Sequence, residues 1–321
     1  MTNVLLSAEG LTKHFPVRGG GLARAVDGVD FQVKQGGALG LVGESGCGKT
    51  TTGRLLVRLL EPTGGRIVFD GRDITHLRRS QLRPIRHQLQ IIFQDPYASL
   101  NPRHTVGRIV AMPLQVNRIR PAGGMKARVQ ELLEIVGLNP EHYNRYPHEF
   151  SGGQRQRVGI ARALALQPRL IVADEPVSAL DVSIQAQIIN LLRSLQRDLG
   201  LTFVFITHDL AVVSLFCPEV AVMYLGKIVE VGDRADIFAH PQHPYTRALM
   251  SAVPDPAALG TSRRIRLSGD VPSALNPPSG CRFRTRCPQA RERCSGDEPA
   301  LVTRGATQRT ACHFPEAIAP Q

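Results

Sequence analysis

An α/β fold built around a phosphate-binding loop is predicted by three features of this 321-residue sequence. Strand-like apolar runs alternate with stretches of helical periodicity. The octapeptide "GESGCGKT" (43–50) matches G-x-x-x-x-G-K-[ST] and lies between such a run and a helix. A later run, "RLIVADEP" (169–176), ends in two adjacent acids. Alternation of this kind implies a mostly parallel sheet.

The elements follow in chain order. "GGALGLVG" (36–43) ends in a strand, and "KTTTGRLLVRLL" (49–60) reads as a helix. "RIVFDGRDI" (66–74) reads as strand, Asp70–Gly71 turn, strand. "QLQIIFQ" (88–94), "RLIVADE" (169–175) and "TFVFITHD" (202–209) read as buried strands tipped with polar residues. Between the last two, Ile184, Ile188, Leu191, Leu195 and Leu199 keep helical spacing over 183–200, with Gly200 as C-cap. Residues from about 104 to 150, including "MKARVQELLEIVGL" (125–138), break the alternation and read as a helical insertion. Past about 255, Pro, Gly, Arg and Cys dominate and periodicity fades.

Composition bounds the function. No apolar run reaches the 18 residues that a membrane-spanning helix needs, and "MTNVLLSAEG" is not a secretory signal, so a cytosolic chain is expected. The net charge of +12, from 39 basic and 27 acidic residues, suits nucleic acid or an anionic membrane surface, or is a solvated basic surface. Arg78, Arg79, Arg83 and Arg86 form a basic run read as a solvated face.

The Gly-rich loop carries the chemistry. Its glycines (Gly43, Gly46, Gly48) let backbone N–H groups converge on phosphate oxygens, with Glu44, Ser45, Cys47 and Thr51 in the same stretch. The following helix adds positive charge at its N-terminus. Lys49 is placed to reach the β- and γ-phosphates of ATP, and Thr50 to ligate Mg²⁺. Asp174 suits Mg²⁺, directly or through water, and Glu175 suits polarising the attacking water.

A third element narrows the class. In "FSGGQRQRVGIARALA" (150–165), Ser151 and Gln154 fit a capping box at a helix start. Gly152 and Gly153 lower helix stability but leave N–H groups open to an anion. Two anion-binding helix starts in one chain make sense if the second takes the γ-phosphate held by another subunit.

"SGGQ" between these two motifs resembles the signature of ABC-transporter ATPase subunits. Gln94 in "IIFQDP" resembles the Q-loop, Asp181 in "SALD" (178–181) the D-loop, and His208 in "ITHD" the switch histidine. Phe15 sits where the family stacks an aromatic residue on adenine; a plain core position is the alternative. Phe150 stands where the family usually has Leu. The resemblance covers about residues 4–255. It implies a P-loop NTPase of the ABC type: α/β, with a mixed sheet, a helical insertion and a small Cys-rich C-terminal extension. It also implies an ATPase domain over 1–255, a helical subdomain at about 104–150, and an extension over 256–321.

"HPQHPYTRALMSAVP" (240–254) and "LSGDVPSALNPPSGCRFRTRC" (267–287) resemble the C-terminal segment of dipeptide/oligopeptide permease ATP-binding subunits, closest to the second ATPase subunit type. "QDPYASLNPR" (94–103) and "RYPHEFSGGQRQR" (145–157) resemble the same branch. The resemblance implies a peripheral protein at the cytoplasmic face of the inner membrane. Its partners would be a second ABC ATPase subunit, giving a heterodimer, and two transmembrane permease subunits. An extracytoplasmic peptide-binding protein would take part indirectly, and nucleic acid would not. ATP would lie between the P-loop of one subunit and Ser151, Gly152, Gly153 and Gln154 of the other. Lys49, Glu175 and His208 would be the catalytic residues, with Thr50, Gln94 and Asp174 around Mg²⁺. The alternatives are an importer of nickel or another small solute and, in a different class, a soluble ABC ATPase acting on nucleic acid. Co-purification with permeases or with nucleic acid separates these.

Of six cysteines, four fall in the last 41 residues, spaced Cys281-x₅-Cys287-x₆-Cys294-x₁₇-Cys312. A reducing cytosol favours a metal site over disulfides, and four thiolates suit Zn²⁺ or an iron–sulfur cluster. The spacing is wider than in zinc ribbons or ferredoxins and names neither. The peptide-importer resemblance implies a [4Fe–4S] cluster, with zinc second and His313 a bystander. A segment with so little core of its own is one that a metal could hold together.

Overall fold

The protein is seen in a computed structural model that describes residues 3–17, 19–252 and 265–315. The domain boundary expected near 255 lies outside them. The chain forms two compact units, Met1–His76 with Phe205–Gln321, and Leu77–Val204.

The first unit opens with two long strands, β1 (Val4–Pro16) and β2 (Leu22–Lys34), paired antiparallel. Then come β3 (Ala38–Val42), α1 (Lys49–Leu56), β4 (Gly64–Phe69) and β5 (Arg72–Asp73). β1, β2, β4 and β5 make one antiparallel sheet. The hairpin is absent from the sequence reading because its strands do not alternate cleanly. Register shifts at Ala8/Leu11 and Lys13/His14 break the period of two. The helix expected over 49–60 stops at Leu56. Arg58, 3% exposed and at φ 54, turns the chain there and donates from Nε to the Ile74 carbonyl at 3.0 Å.

The second unit holds α2 (Arg79–Gln88), β6 (Leu89–Ile92), α3 (Pro96–Ser99), α4 (Val106–Val116), α5 (Met125–Ile135), α6 (Gly152–Leu164), β7 (Leu170–Asp174) and α7 (Val182–Leu199). β6 and β7 run parallel. The stretch 104–150 is helical as expected, through α4, α5 and two short 3₁₀ turns, Pro140–Asn144 and Pro147–Glu149. α7 ends at Gly200, φ 63, whose N–H returns to the Gln196 carbonyl. Its buried stripe is Ile188, Ile189, Leu192 and Leu195, whereas Leu199 is 52% exposed.

The chain leaves the second unit within β8 (Thr202–Thr207). It continues through α8 (Leu210–Phe216), β9 (Glu219–Tyr224), β10 (Lys227–Asp233), α9 (Arg234–Ala239), α10 (Pro244–Met250), α11 (Arg293–Gly296), β11 (Val302–Arg304) and β12 (Gln308–Thr310). β3 pairs parallel with β9, but β10 pairs antiparallel with both β9 and β12, and β11 with β12. The mostly parallel sheet read from alternation is thus mixed. β9 and β10, like β11 and β12, follow each other with no helix between them and pair as antiparallel neighbours, whereas β10 meets β12 across α9, α10 and α11. β3 and β7 are buried along their whole length and so carry uninterrupted apolar runs into the core.

Within the first unit, the C-terminal segment packs against β9, α10 and β2. Phe283, 1% exposed, packs edge-on to Tyr224 with ring centroids 5.2 Å apart, and against Tyr245 at 5.4 Å. Arg282 donates to the Leu225 carbonyl at 2.6 Å and ion-pairs with Asp27. The Ala311 N–H donates to the Val229 carbonyl at 2.8 Å. Beneath lies a buried polar knot. Glu230, fully buried, accepts from the backbone N–H of Gln242 at 2.7 Å and of His243 at 3.1 Å, and from Gln308 Nε2 at 2.6 Å. Burial raises the Glu230 carboxyl above its ordinary pKa and lowers His243 to about 3, so this histidine is neutral at physiological pH. The segment that a metal could hold together is thus also anchored by protein contacts.

Candidate functional site

In the first unit, the loop 43–48 connects β3 to α1. Its shape excludes side chains at two points. A Cβ on Gly43 would meet the Met223 carbonyl oxygen at 2.1 Å, and one on Gly48 (φ 107) would meet the Ala25 carbonyl oxygen at 2.1 Å. Lys49 is 4% exposed, and its ammonium donates to the carbonyls of Gly43 at 2.7 Å and Glu44 at 2.9 Å. The lysine thus closes the loop into a ring. The first turn of α1 has no acidic residue, so nothing there opposes the positive end of the helix dipole. Cys47 is buried with its thiol 3.9 Å from Lys49 Nζ. Burial raises its pKa while Lys49 pulls the other way, so this side chain belongs to the core. Ser45 and Gly46 are exposed, and Thr50 and Thr51 half-buried. Phe15, on β1, is half-buried with the Lys13 ammonium 5.2 Å from its ring centroid. His208 is exposed on the turn after β8. Asp209 fixes that turn by capping α8, accepting from the Ala211 N–H at 2.8 Å.

In the second unit, β7 delivers Asp174, 2% exposed, at its C-terminal end. Glu175 follows in the left-handed region, φ 46. A non-glycine residue held there is strained, and such strain clusters at functional sites. Gln94 Nε2 donates to Glu175 Oε2 at 2.9 Å, which brings two of the expected residues together. Ser151 caps α6: the Ser151 N–H donates to Gln154 Oε1 at 3.0 Å, and the Gln154 N–H to Ser151 Oγ at 3.3 Å. Gly153 has a packing reason that the sequence did not disclose. A Cβ there would meet Ile184 Cγ2 at 2.5 Å. Asp181 is exposed at the start of α7, where Gln185 Nε2 donates to the carbonyls of Val177 at 3.1 Å and Leu180 at 3.0 Å.

The four C-terminal cysteines are free thiols: Cys294 is buried, and Cys281, Cys287 and Cys312 are partly so. Burial raises the pKa of Cys281 and Cys287 and pushes Cys312 up to about 11. Cys312 also feels the charge of the other three. In kind the donors suit a thiophilic metal, but in arrangement they do not. Among the described residues no group of three or more His, Cys, Asp or Glu is placed to hold an ion. The four-thiolate site expected from the sequence is thus not shown by the arrangement of the described residues.

Two residues of this site were missed by sequence reasoning, Tyr245 and Arg286. Both reach Glu44 of the phosphate loop, Tyr245 with its hydroxyl at 2.8 Å from the Glu44 N–H, and Arg286 with its guanidinium at 2.6 Å from Oε2. The arginines of "GCRFRTRC" announced acidic partners without naming them.

Residues 26–178 match the family described as ABC transporter, and residues 229–294 match the oligopeptide/dipeptide transporter C-terminal region. A putative peptide import ATP-binding protein of Brucella ovis is 55% identical, over 92% of this chain and 93% of that protein. The oligopeptide transport ATP-binding protein AppF of Bacillus subtilis is 49% identical, over 97% of each chain. Among solved structures, cbiO1 from Clostridium perfringens, part of an ABC transporter complex, aligns with a TM-score of 0.65 at 31% identity, covering 74% of this chain and 91% of that one. A dimeric ATP-binding cassette in a post-hydrolysis state with ADP and Pi also gives a TM-score of 0.65, at 30% identity and covering 71% and 98%. On these matches, which span nearly the whole chain, it belongs to the ABC transporter ATP-binding family.

Proposed function

We propose that this chain is the ATP-hydrolysing subunit of an importer for dipeptides or oligopeptides. The observation that carries the catalytic reading is Glu175, a carboxylate at the end of a buried strand, in strained backbone and hydrogen-bonded to Gln94. The peptide assignment is supported by the match over 229–294 and by the names that the relatives carry.

Each residue has a physical role. The loop 43–48 and the start of α1 bind the polyphosphate through backbone N–H groups. Lys49 neutralises charge at the β- and γ-phosphates. Thr50, Asp174 and Gln94 would be the oxygen donors for Mg²⁺, which would shield phosphate charge. Glu175 orients the attacking water and takes its proton. His208 stabilises charge on the transferring phosphoryl group. Phe15 offers its ring to adenine. Ser151, Gly152, Gly153 and Gln154 serve the ATP of a second subunit, and Asp181 the contact between subunits. Two ATPase subunits, as a heterodimer, would work beneath two permease subunits at the cytoplasmic face of the membrane. Among the described residues, no helix is long and apolar enough to cross a membrane. The domains follow the same reading, with an ATPase domain to about 255, its helical part at 104–150, and the extension beyond.

The test is co-expression with the permease genes and peptide-dependent uptake into vesicles loaded with MgATP. Uptake lost with Lys49→Ala is expected. ATP hydrolysis that no peptide stimulates, in a chain that co-purifies with no permease, would sink the importer reading.

For Cys281, Cys287, Cys294 and Cys312 the finer proposal is a [4Fe–4S] cluster, with Zn²⁺ as the alternative. The soft donor set and the clustering of the four cysteines in the last 41 residues support it. Protein purified without oxygen is expected to absorb broadly near 400 nm, with roughly four irons per chain. Colourless protein with about one zinc selects the alternative, and neither metal removes the proposal.

A further inference from the structure

Glu44 is the single acid of the phosphate loop, and it is held on every side. Its N–H donates to the Tyr245 hydroxyl at 2.8 Å. Its carbonyl accepts from Lys49 Nζ at 2.9 Å and from the Cys47 N–H at 3.3 Å. Its carboxylate takes both terminal nitrogens of Arg286, at 2.6 and 3.1 Å. Two of these partners lie 201 and 242 positions away in the chain. Both are themselves fixed. Tyr245 is 0% exposed against Tyr224 and Phe283, and the Arg286 side chain is 8% exposed with its guanidinium 5.9 Å from the Tyr224 ring centroid. A forked arginine–carboxylate pair fixes direction as well as charge, here with the arginine buried and the Glu44 carboxylate partly exposed.

The consequences for the loop are geometric and electrostatic. The two carbonyls that Lys49 binds belong to Gly43 and Glu44, so holding Glu44 fixes the direction of the ring that must receive phosphate. An unpaired carboxylate in that loop would repel a polyphosphate. Arg286 offsets that charge.

We propose that Arg286 of the cysteine-rich segment and Tyr245 of α10 are positioning residues of the nucleotide site, which together hold Glu44 and set the affinity for MgATP. The proposal rests on the ATPase reading above, and the experiment separates the two. In the full chain, KM for MgATP, kcat and thermal melting are measured for R286M, R286M/E44Q and Y245F. R286M is expected to raise KM about tenfold with kcat within about twofold of the parent, since it weakens ground-state binding rather than chemistry. Adding E44Q removes the stranded carboxylate and brings KM back to within about threefold of the parent, a recovery that a merely structural arginine would not give. Y245F keeps the buried ring and removes only the acceptor of the Glu44 N–H, so KM is expected to rise about threefold even if R286M fails to fold. A parent-like KM in R286M or Y245F overturns the proposal, and so does a loss in R286M that E44Q leaves unrelieved. A parent chain that does not turn over MgATP removes the ATPase reading itself, which is a different result from a null variant.

Discussion

Glu175→Gln is expected to lower kcat for ATP hydrolysis by about 10²- to 10⁴-fold, the range by which a positioned general base accelerates a reaction. Binding of MgATP should stay within about threefold of the parent, because the substitution removes charge and basicity without changing size. The geometry predicts this separation. Glu175 accepts from Gln94 Nε2 at 2.9 Å through Oε2, and a Gln at 175 keeps a carbonyl oxygen that can accept the same bond. The left-handed backbone at φ 46 is shared by both side chains, so the variant adds no new strain. What is lost is the carboxylate that takes the proton of the attacking water. The measurement is steady-state turnover beside equilibrium binding of a fluorescent ATP analogue. Turnover at the parent rate would move the base elsewhere. Loss of binding and turnover together would mean that Glu175 holds the site's shape rather than acting on water.

How much of this was legible follows from how far apart the cooperating residues lie in the chain. The phosphate loop is eight consecutive residues, so spacing alone disclosed it, and its strand and helix followed from local pattern. The α6 cap is likewise local, Ser151 answering Gln154 three positions on. The long β1–β2 hairpin was missed because its register shifts disturb alternation. β11 and β12 were missed because three residues each are too few to show a period. The reason for Gly153 was invisible because Ile184, the side chain it must admit, lies on another helix. The same distance hid Arg286 and Glu44, whose pairing no local reading could propose. The cysteine spacing was legible as a cluster of donors, but the burial that pushes Cys281, Cys287 and Cys312 upward was not, because it depends on packing between distant parts of the chain.

The glycines of the phosphate loop are not equivalent, and the second large effect follows from that. Gly48→Ala must place a Cβ 2.1 Å from the Ala25 carbonyl oxygen of β2 and 2.8 Å from Met223 Cε, at φ 107. The methionine end can move, but the carbonyl is backbone of β2, at the register shift between Arg24 and Val26, so relief needs a shift of main chain in the strand or in the loop. A displacement near 1 Å in a positioning element costs about a hundredfold in function. Gly48→Ala is therefore expected to weaken MgATP binding by at least about that factor and to lower the melting temperature by several degrees, roughly 1–3 kcal/mol of backbone strain plus the clash. Gly46→Ala is the internal control. Its Cβ meets no protein atom within 4 Å, and at φ 80 it carries torsional strain alone, so its loss of thermal stability should be the smaller of the two. Calorimetric melting of both variants, with MgATP titration of Gly48→Ala, checks the pair. Equal melting temperatures would mean that the loop yields around Ala25 without cost. The rigidity here ascribed to the phosphate ring, with Lys49 closing it from inside and the C-terminal segment holding it from outside, would then be wrong.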